Sequence, residues 1–163
     1  MALSDHTKKR FRRVIRTSMV TIAVFLLVVA LAIPVINNAI GLAEEKRLKD
    51  LPLPDGADLI SSVSSVGNLT NVTRNVQYFG AILVQSNLSK SEISAHYNQY
   101  REGAFDCIVE DAEGARDLLS TLDLGGIDSA FSVDAVQDDW YLVYSWGDPP
   151  AWLTDILNLD SRV

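Results

Sequence analysis

The sequence predicts an α+β protein: one N-terminal transmembrane helix, then a small domain with an antiparallel sheet and helices on one side. Three observations carry this. Met19–Ile36 (MVTIAVFLLVVALAIPVI) is a nearly continuous apolar run of eighteen residues. Beyond it, strand-like runs such as VQYFGAILVQ alternate with helix-like runs such as SNLSKSEISAHYNQYREG. Charge also divides sharply along the chain. Six Lys and Arg stand in residues 1–16 against one acid, Asp5, and nothing ionisable follows Arg16 until Glu44.

The apolar run sets the first element. At 1.5 Å per residue, eighteen to twenty helical residues cover roughly 30 Å, the thickness of a bilayer's hydrocarbon core. Twelve of the eighteen are Val, Ile, Leu or Phe, which favours insertion by roughly 4–7 kcal/mol. Pro34 stands near the outer end of the run. The basic cluster belongs on the cytoplasmic face, where it rests against anionic inner-leaflet lipid. The organisation expected is a basic cytoplasmic tail over 1–16, a transmembrane helix over 17–40, a stalk over 41–57 and an extracytoplasmic domain over 58–163.

A cleaved signal peptide is the rival. Small residues in GLA at 41–43 allow cleavage after Ala43, and ALA at 30–32 is a weaker site. Secretory apolar cores run about 7–15 residues, shorter than this one, so an uncleaved anchor is the expectation. The span carries no charge and no GxxxG, so ion transport and tight helix pairing lack their usual groups.

Residues 44–57 (EEKRLKDLPLPDGA) pass from charged helix former to a Pro-Leu-Pro-Asp-Gly turn. DLISSVSSVGNL reads as the first strand, on a Ser-rich pattern. VQYFGAILVQ is apolar on both faces, which predicts a central strand. In the helix that follows, Ser89 and Glu92 have capping-box spacing, Leu88 and Ile93 that of a hydrophobic staple. Ile93, His96, Tyr97 and Tyr100 share one face, and Gly103 suits the stop.

AFDCIVE is the next strand, with Phe105, Cys107 and Val109 on one face. A short helix follows through Ala115, Leu118, Leu119 and Leu122, ending before Gly125-Gly126. AFSVDAV and WYLVYSW are expected to pair as a hairpin across the polar turn QDD. DPPAWLTDILNL, with Asp148 as N-cap, predicts a last helix. The order expected is β-β-α-β-α-β-β-α.

Chemistry is sparse in this pattern. From Glu44 onward eight basic and twenty acidic residues give 8 − 20 = −12, so nucleic-acid binding, which needs cations on phosphates, is excluded as an expectation. Cys107 is the single cysteine and forms no internal disulfide; its pattern reads as a small buried residue. His96 is the one imidazole beyond the span, and alone it makes no zinc site. Glu110, Asp111, Glu113 and Asp117 lack the spacing of a calcium loop. The triplets at Asn68, Asn71 and Asn87 have acceptor form for N-glycosylation. Trp140, Tyr141, Tyr144, Trp146 and Trp152 read as core residues, with Tyr141 on the face opposite the tryptophans of its strand. No catalytic, cofactor-binding or metal-binding residue is assigned, and no cofactor is expected.

At LPLPDGADLI, QYFGAILVQSNLS and WYLVYSWGD the chain resembles a loose group of Gram-positive bacterial membrane-anchored proteins. They place an LPLP segment and a small α+β outer domain after one N-terminal span. The similarity covers roughly residues 51–148. It implies a bacterial cell membrane and brings no activity, so no residue role follows from it. The expectation is an extracytoplasmic protein-binding or accessory module, its partners the bilayer and another envelope or membrane protein. The alternatives are a small-ligand sensor or enzyme with a cleft near His96, or a secreted domain released after Ala43.

Overall fold

A computed structural model describes residues 5–69, 76–101, 105–122 and 131–147, with side chains from Val14 onward. The helix expected over DPPAWLTDILNL, with Trp152, the Gly125-Gly126 turn and the Asn71 triplet lie outside the described residues.

Helix α1 runs Asp5–Lys49, forty-five residues without a break. Pro34 lies inside it. A proline there removes one backbone hydrogen bond, but the helix continues for four further turns. Every described residue from Val14 to Val28 is exposed, and one segment is long and apolar enough to cross a membrane. From Ile33 on, one stripe is covered: Ile33, Asn37, Gly41 and Leu48 are buried, at helical spacings of four, four and seven. The segment expected as a stalk is thus helical as far as Lys49, and one side of it packs on the sheet.

Four strands follow: β1 (Asp58–Gly67), β2 (Gln77–Gln85), β3 (Ile108–Glu110) and β4 (Trp140–Gly147). They form one antiparallel sheet in the order β1-β2-β4-β3. β2 is central, as its two-sided apolar pattern predicts, and Tyr78 through Val84 are all buried. Val84, Ile82 and Val143 face one side with Leu48; Phe79, Ala81, Leu83, Leu142 and Tyr144 face the other.

Of AFSVDAV, the described residues Phe131–Val136 form no strand. Phe131 and Val136 are buried, and Val133–Ala135 makes a short 3-10 turn. The expected hairpin cannot form because β4 has β2 on one edge and β3 on the other. β3 takes the middle of that second edge, Leu142–Tyr144, which leaves no continuous stretch for a fifth strand.

Helix α2 (Lys90–Asn98) has its capping box as read. The Ser89 side chain accepts from Glu92 N, and Glu92 Oε2 accepts from Ser89 N at 2.8 Å. It stops well before Gly103. Helix α3 (Ala112–Thr121) is capped by Asp111, which accepts from Gly114 N at 3.1 Å. The α+β class with its antiparallel sheet is as expected; the placing of the helices on one side is not. Ile93 and Tyr97 of α2 pack with Ile82 and Val84, whereas Ala115 and Leu119 of α3 pack with Phe79 and Leu83. The sheet is apolar on both faces, so each face needs its own cover.

Candidate functional site at the helix–sheet junction

The junction between α1 and the sheet is built from small residues on one side and polar residues on the other. Along the face that receives α1, the strands present Ser62, Ser64, Gly80, Ser145 and Gly147. A Cβ on Gly80 would stand 2.6 Å from Glu45 N and 2.7 Å from Glu44 C. A Cβ on Gly147 would meet Glu44 Cγ at 2.5 Å, and one on Gly41 would meet Val66 Cγ2 at 2.5 Å. The helix backbone therefore lies against the sheet backbone at a distance only glycine permits. This explains the Ser-rich first strand, whose pattern fits an ordinary half-buried strand poorly.

Polar groups on α1 meet partners at the same surface. The Tyr78 hydroxyl donates to Asn37 Oδ1 at 2.5 Å, and both residues are fully buried. Ser62 Oγ donates to Glu45 Oε1 at 2.6 Å, and Ser145 Oγ to Glu44 Oε2 at 3.4 Å. A buried amide or half-buried carboxylate is costly without such partners. Each bond therefore specifies one register of helix on sheet. Leu48 closes the contact, fully buried among Ile82, Val84 and Val143, which stabilises it by about 1.5–3 kcal/mol.

The helix and the central strand run side by side. Asn37 lies beside Tyr78, Glu44 and Glu45 beside Gly80, and Leu48 beside Ile82 and Val84. β2 thus leads away from the apolar half of α1, and β1 and β4 lead back toward it.

Two further features bear on ligand chemistry. A cleft of about 340 Å³ is lined by Arg47, Leu51, Gln99, Tyr100, Arg101 and Phe105. In it the Arg47 guanidinium lies 3.8 Å above the Phe105 ring, a cation–π contact made by an exposed residue. Arg101 is already paired with Asp106 at 2.6 Å. His96 does not line this cleft. Its ring nitrogen Nε2 bonds the Pro52 carbonyl at 2.8 Å and its ring stands edge-on to Tyr97 and Tyr100. His96 ties the LPLP turn to α2. Glu110 and Asp111 are engaged by Lys90, at 2.6 and 3.7 Å, and that pairing, with the Glu110 bond first, raises the ammonium above its ordinary range.

Cys107 is buried with Phe105 and Val109, as the alternation predicts, and burial pushes its thiol up to about 11. Trp140 and Tyr144 are core residues, and Tyr141 donates its hydroxyl to the Leu88 carbonyl at 2.6 Å. Trp146 stays partly exposed at the end of β4, its ring 5.0 Å from Phe79. Sequence reasoning did not find Asn37, Gly80 or Gly147. The signal was present in the lone Gly of VQYFGAILVQ and in Asn37-Asn38 closing the apolar run. Comparisons with family models, curated proteins and solved structures give no match.

Proposed function

We propose that the chain is a single-pass protein of a bacterial cell membrane. Its basic tail is cytoplasmic, and its acidic α+β domain is held outside as a binding or accessory module for another envelope or membrane protein. The observation that carries this reading is the unbroken α1. One helix supplies both the exposed apolar segment and, from Asn37 to Leu48, a stripe packed on the sheet. A domain held that way has a set height and orientation above the bilayer, which suits presentation of a surface to a neighbour. The tail's Lys8, Lys9, Arg10, Arg12, Arg13 and Arg16 favour the inner leaflet and its anionic lipid.

The same contact argues against release after Ala43. A cut there falls inside the docked helix, between Gly41 and Glu44, and strips Asn37 from Tyr78. The Tyr78 hydroxyl would then lose a buried partner.

Membrane and medium fractions probed with a C-terminal antibody test the anchor: full-length protein confined to membranes is expected, and a shortened soluble band overturns it. In-cell crosslinking from positions on the outer domain tests the module. Recovery of one recurrent membrane or envelope protein is expected, and monomer alone counts against it. A second reading, a small-anion sensor, attaches to the Arg47–Tyr100–Phe105 cleft through its exposed guanidinium. Calorimetry with short dicarboxylates, repeated on Arg47→Ala, decides it: heat lost in the variant supports the sensor, and no heat in either sinks it.

A further inference from the structure

We infer that the end of the sheet where Val66, Asn68, Gln77 and Trp146 are partly exposed is a lipid-contacting surface. It rests in the headgroup layer of the bilayer that α1 crosses. The inference depends on α1 being a membrane anchor and goes beyond it, since a tethered domain need not touch lipid.

The first argument is length. The apolar run ends at Ile36, yet Gly41 already touches Val66 at the end of β1. Five residues of helix rise about 7.5 Å. The headgroup layer on one side of a bilayer is roughly 5–8 Å deep. The strand ends therefore meet the helix within that layer, and the Tyr78 side chain reaches further down to Asn37. Ile33, inside the apolar run, is itself only 6% exposed.

The second argument is the distribution of charge. Among the described residues, those partly exposed at this end, Val66, Asn68, Gln77 and Trp146, carry no ionisable side chain. Among the described residues, the carboxylates nearest this end belong to α1, where Glu44 and Glu45 are turned between helix and sheet toward Ser145 and Ser62. At the opposite end of the strands charge is dense. Asp58 opens β1, Asp139 accepts from Gln85, and the Lys90–Glu110 and Arg116–Asp138 pairs lie beyond. The sequence adds Arg74 between β1 and β2 and Asp148 after Gly147, and both lie outside the described residues. A bilayer interface accepts aromatic and uncharged polar groups such as Trp146, Asn68 and Gln77.

The third argument is Trp146. It is partly exposed at this end, and an amphipathic indole is favoured at headgroup level. Lipid also continues the surface that α1 offers, since Leu31, Val35 and Leu42 are more than half exposed on its outer side.

The experiment places a nitroxide on single cysteines of the full chain carrying Cys107→Ala, in vesicles of phosphatidylcholine and phosphatidylglycerol. The labelled sites are Phe25 in the span, Asn68 at the sheet end and Leu59 at the far end of β1. Relative accessibility to oxygen and to a water-soluble nickel chelate is measured for each. The expected order of immersion is Phe25 deepest, Asn68 intermediate and Leu59 in water. Phe25 in lipid with Asn68 as wet as Leu59 overturns this inference and leaves the anchor standing. Phe25 in water overturns the anchor instead. Should labelling Asn68 perturb folding, a chain keeping Trp146 alone (Trp140→Phe, Trp152→Phe) gives an independent measure. Its emission is expected to shift to the blue on reconstitution and to lose intensity to lipids brominated near the headgroup; unchanged emission overturns the inference.

Discussion

Tyr78 on the central strand donates its hydroxyl to Asn37, the first residue beyond the apolar run of α1. Both are fully buried, so neither can turn to water if the other is removed. Tyr78→Phe is expected to lower stability by about 1–3 kcal/mol, the cost of a buried amide losing a partner. Combining it with Asn37→Leu should recover much of that loss, since two apolar groups of similar size replace the pair. Denaturant unfolding in detergent, arranged as a double-mutant cycle, checks this. Strictly additive losses would show that the two side chains are not coupled.

The two glycines under Glu44 should differ in tolerance. Alanine at Gly80 puts its Cβ 2.6 Å from the Glu45 backbone nitrogen and 2.7 Å from the Glu44 carbonyl carbon. The helix must lift to make room, at about 1–3 kcal/mol. The described atoms nearest an alanine Cβ at Gly147 belong to the Glu44 side chain, which can swing aside at smaller cost. Thermal unfolding should rank Gly80→Ala well below Gly147→Ala, and equal midpoints would contradict the close backbone contact.

Alkaline pH should loosen the core around α2. Burial raises the Tyr97 hydroxyl to about 12 and the Cys107 thiol to about 11, from ordinary values of 10.0 and 9.0. Above pH 9 the unfolded chain gives up these protons first, so the folded state binds more of them. Stability therefore falls as pH rises from about 9 to 12. The Tyr97 hydroxyl finds no hydrogen-bond partner among the described residues, so Tyr97→Phe should cost little at pH 7. With Cys107→Ala, it should flatten the alkaline limb of a stability-against-pH curve. An unchanged limb would assign the loss to other groups.

The caps make a separate prediction. Ser89→Ala and Asp111→Ala each remove an acceptor from a first-turn N–H, costing about 1 kcal/mol. The Ser89 hydroxyl holds the Glu92 carboxyl below its ordinary range, and the Gly114 N–H does the same for Asp111. Groups lowered on folding contribute above their unfolded values of 4.5 and 3.8, and that part fades as pH falls further. Helix content followed by circular dichroism from pH 6 to pH 3 should drop less steeply in a Ser89→Ala, Asp111→Ala double variant. The same slope as the parent would argue against the caps.

Local chemistry made much of this fold legible in advance. Ser89 and Glu92 declare a helix start wherever they occur, and VQYFGAILVQ declares a two-sided strand, because both depend on neighbours in sequence. The hairpin expected between AFSVDAV and WYLVYSW failed for the opposite reason. Pairing is a competition, and β2 and β3, distant in sequence, occupy both edges of β4.

The sequence by itself determined an apolar segment of bilayer length, a charge boundary at Arg16, an α+β domain and the capping box of α2. Periodicity and end chemistry record all of these. Only the tertiary structure decided that α1 does not end where its apolar run ends, and that its last turns belong to the sheet. That contact rests on Gly80, Gly147, Asn37 and Tyr78, residues from separate segments whose meaning appears only when a helix backbone comes within reach of them. A glycine records the absence of a side chain, and what fills the space it leaves is a property of the fold.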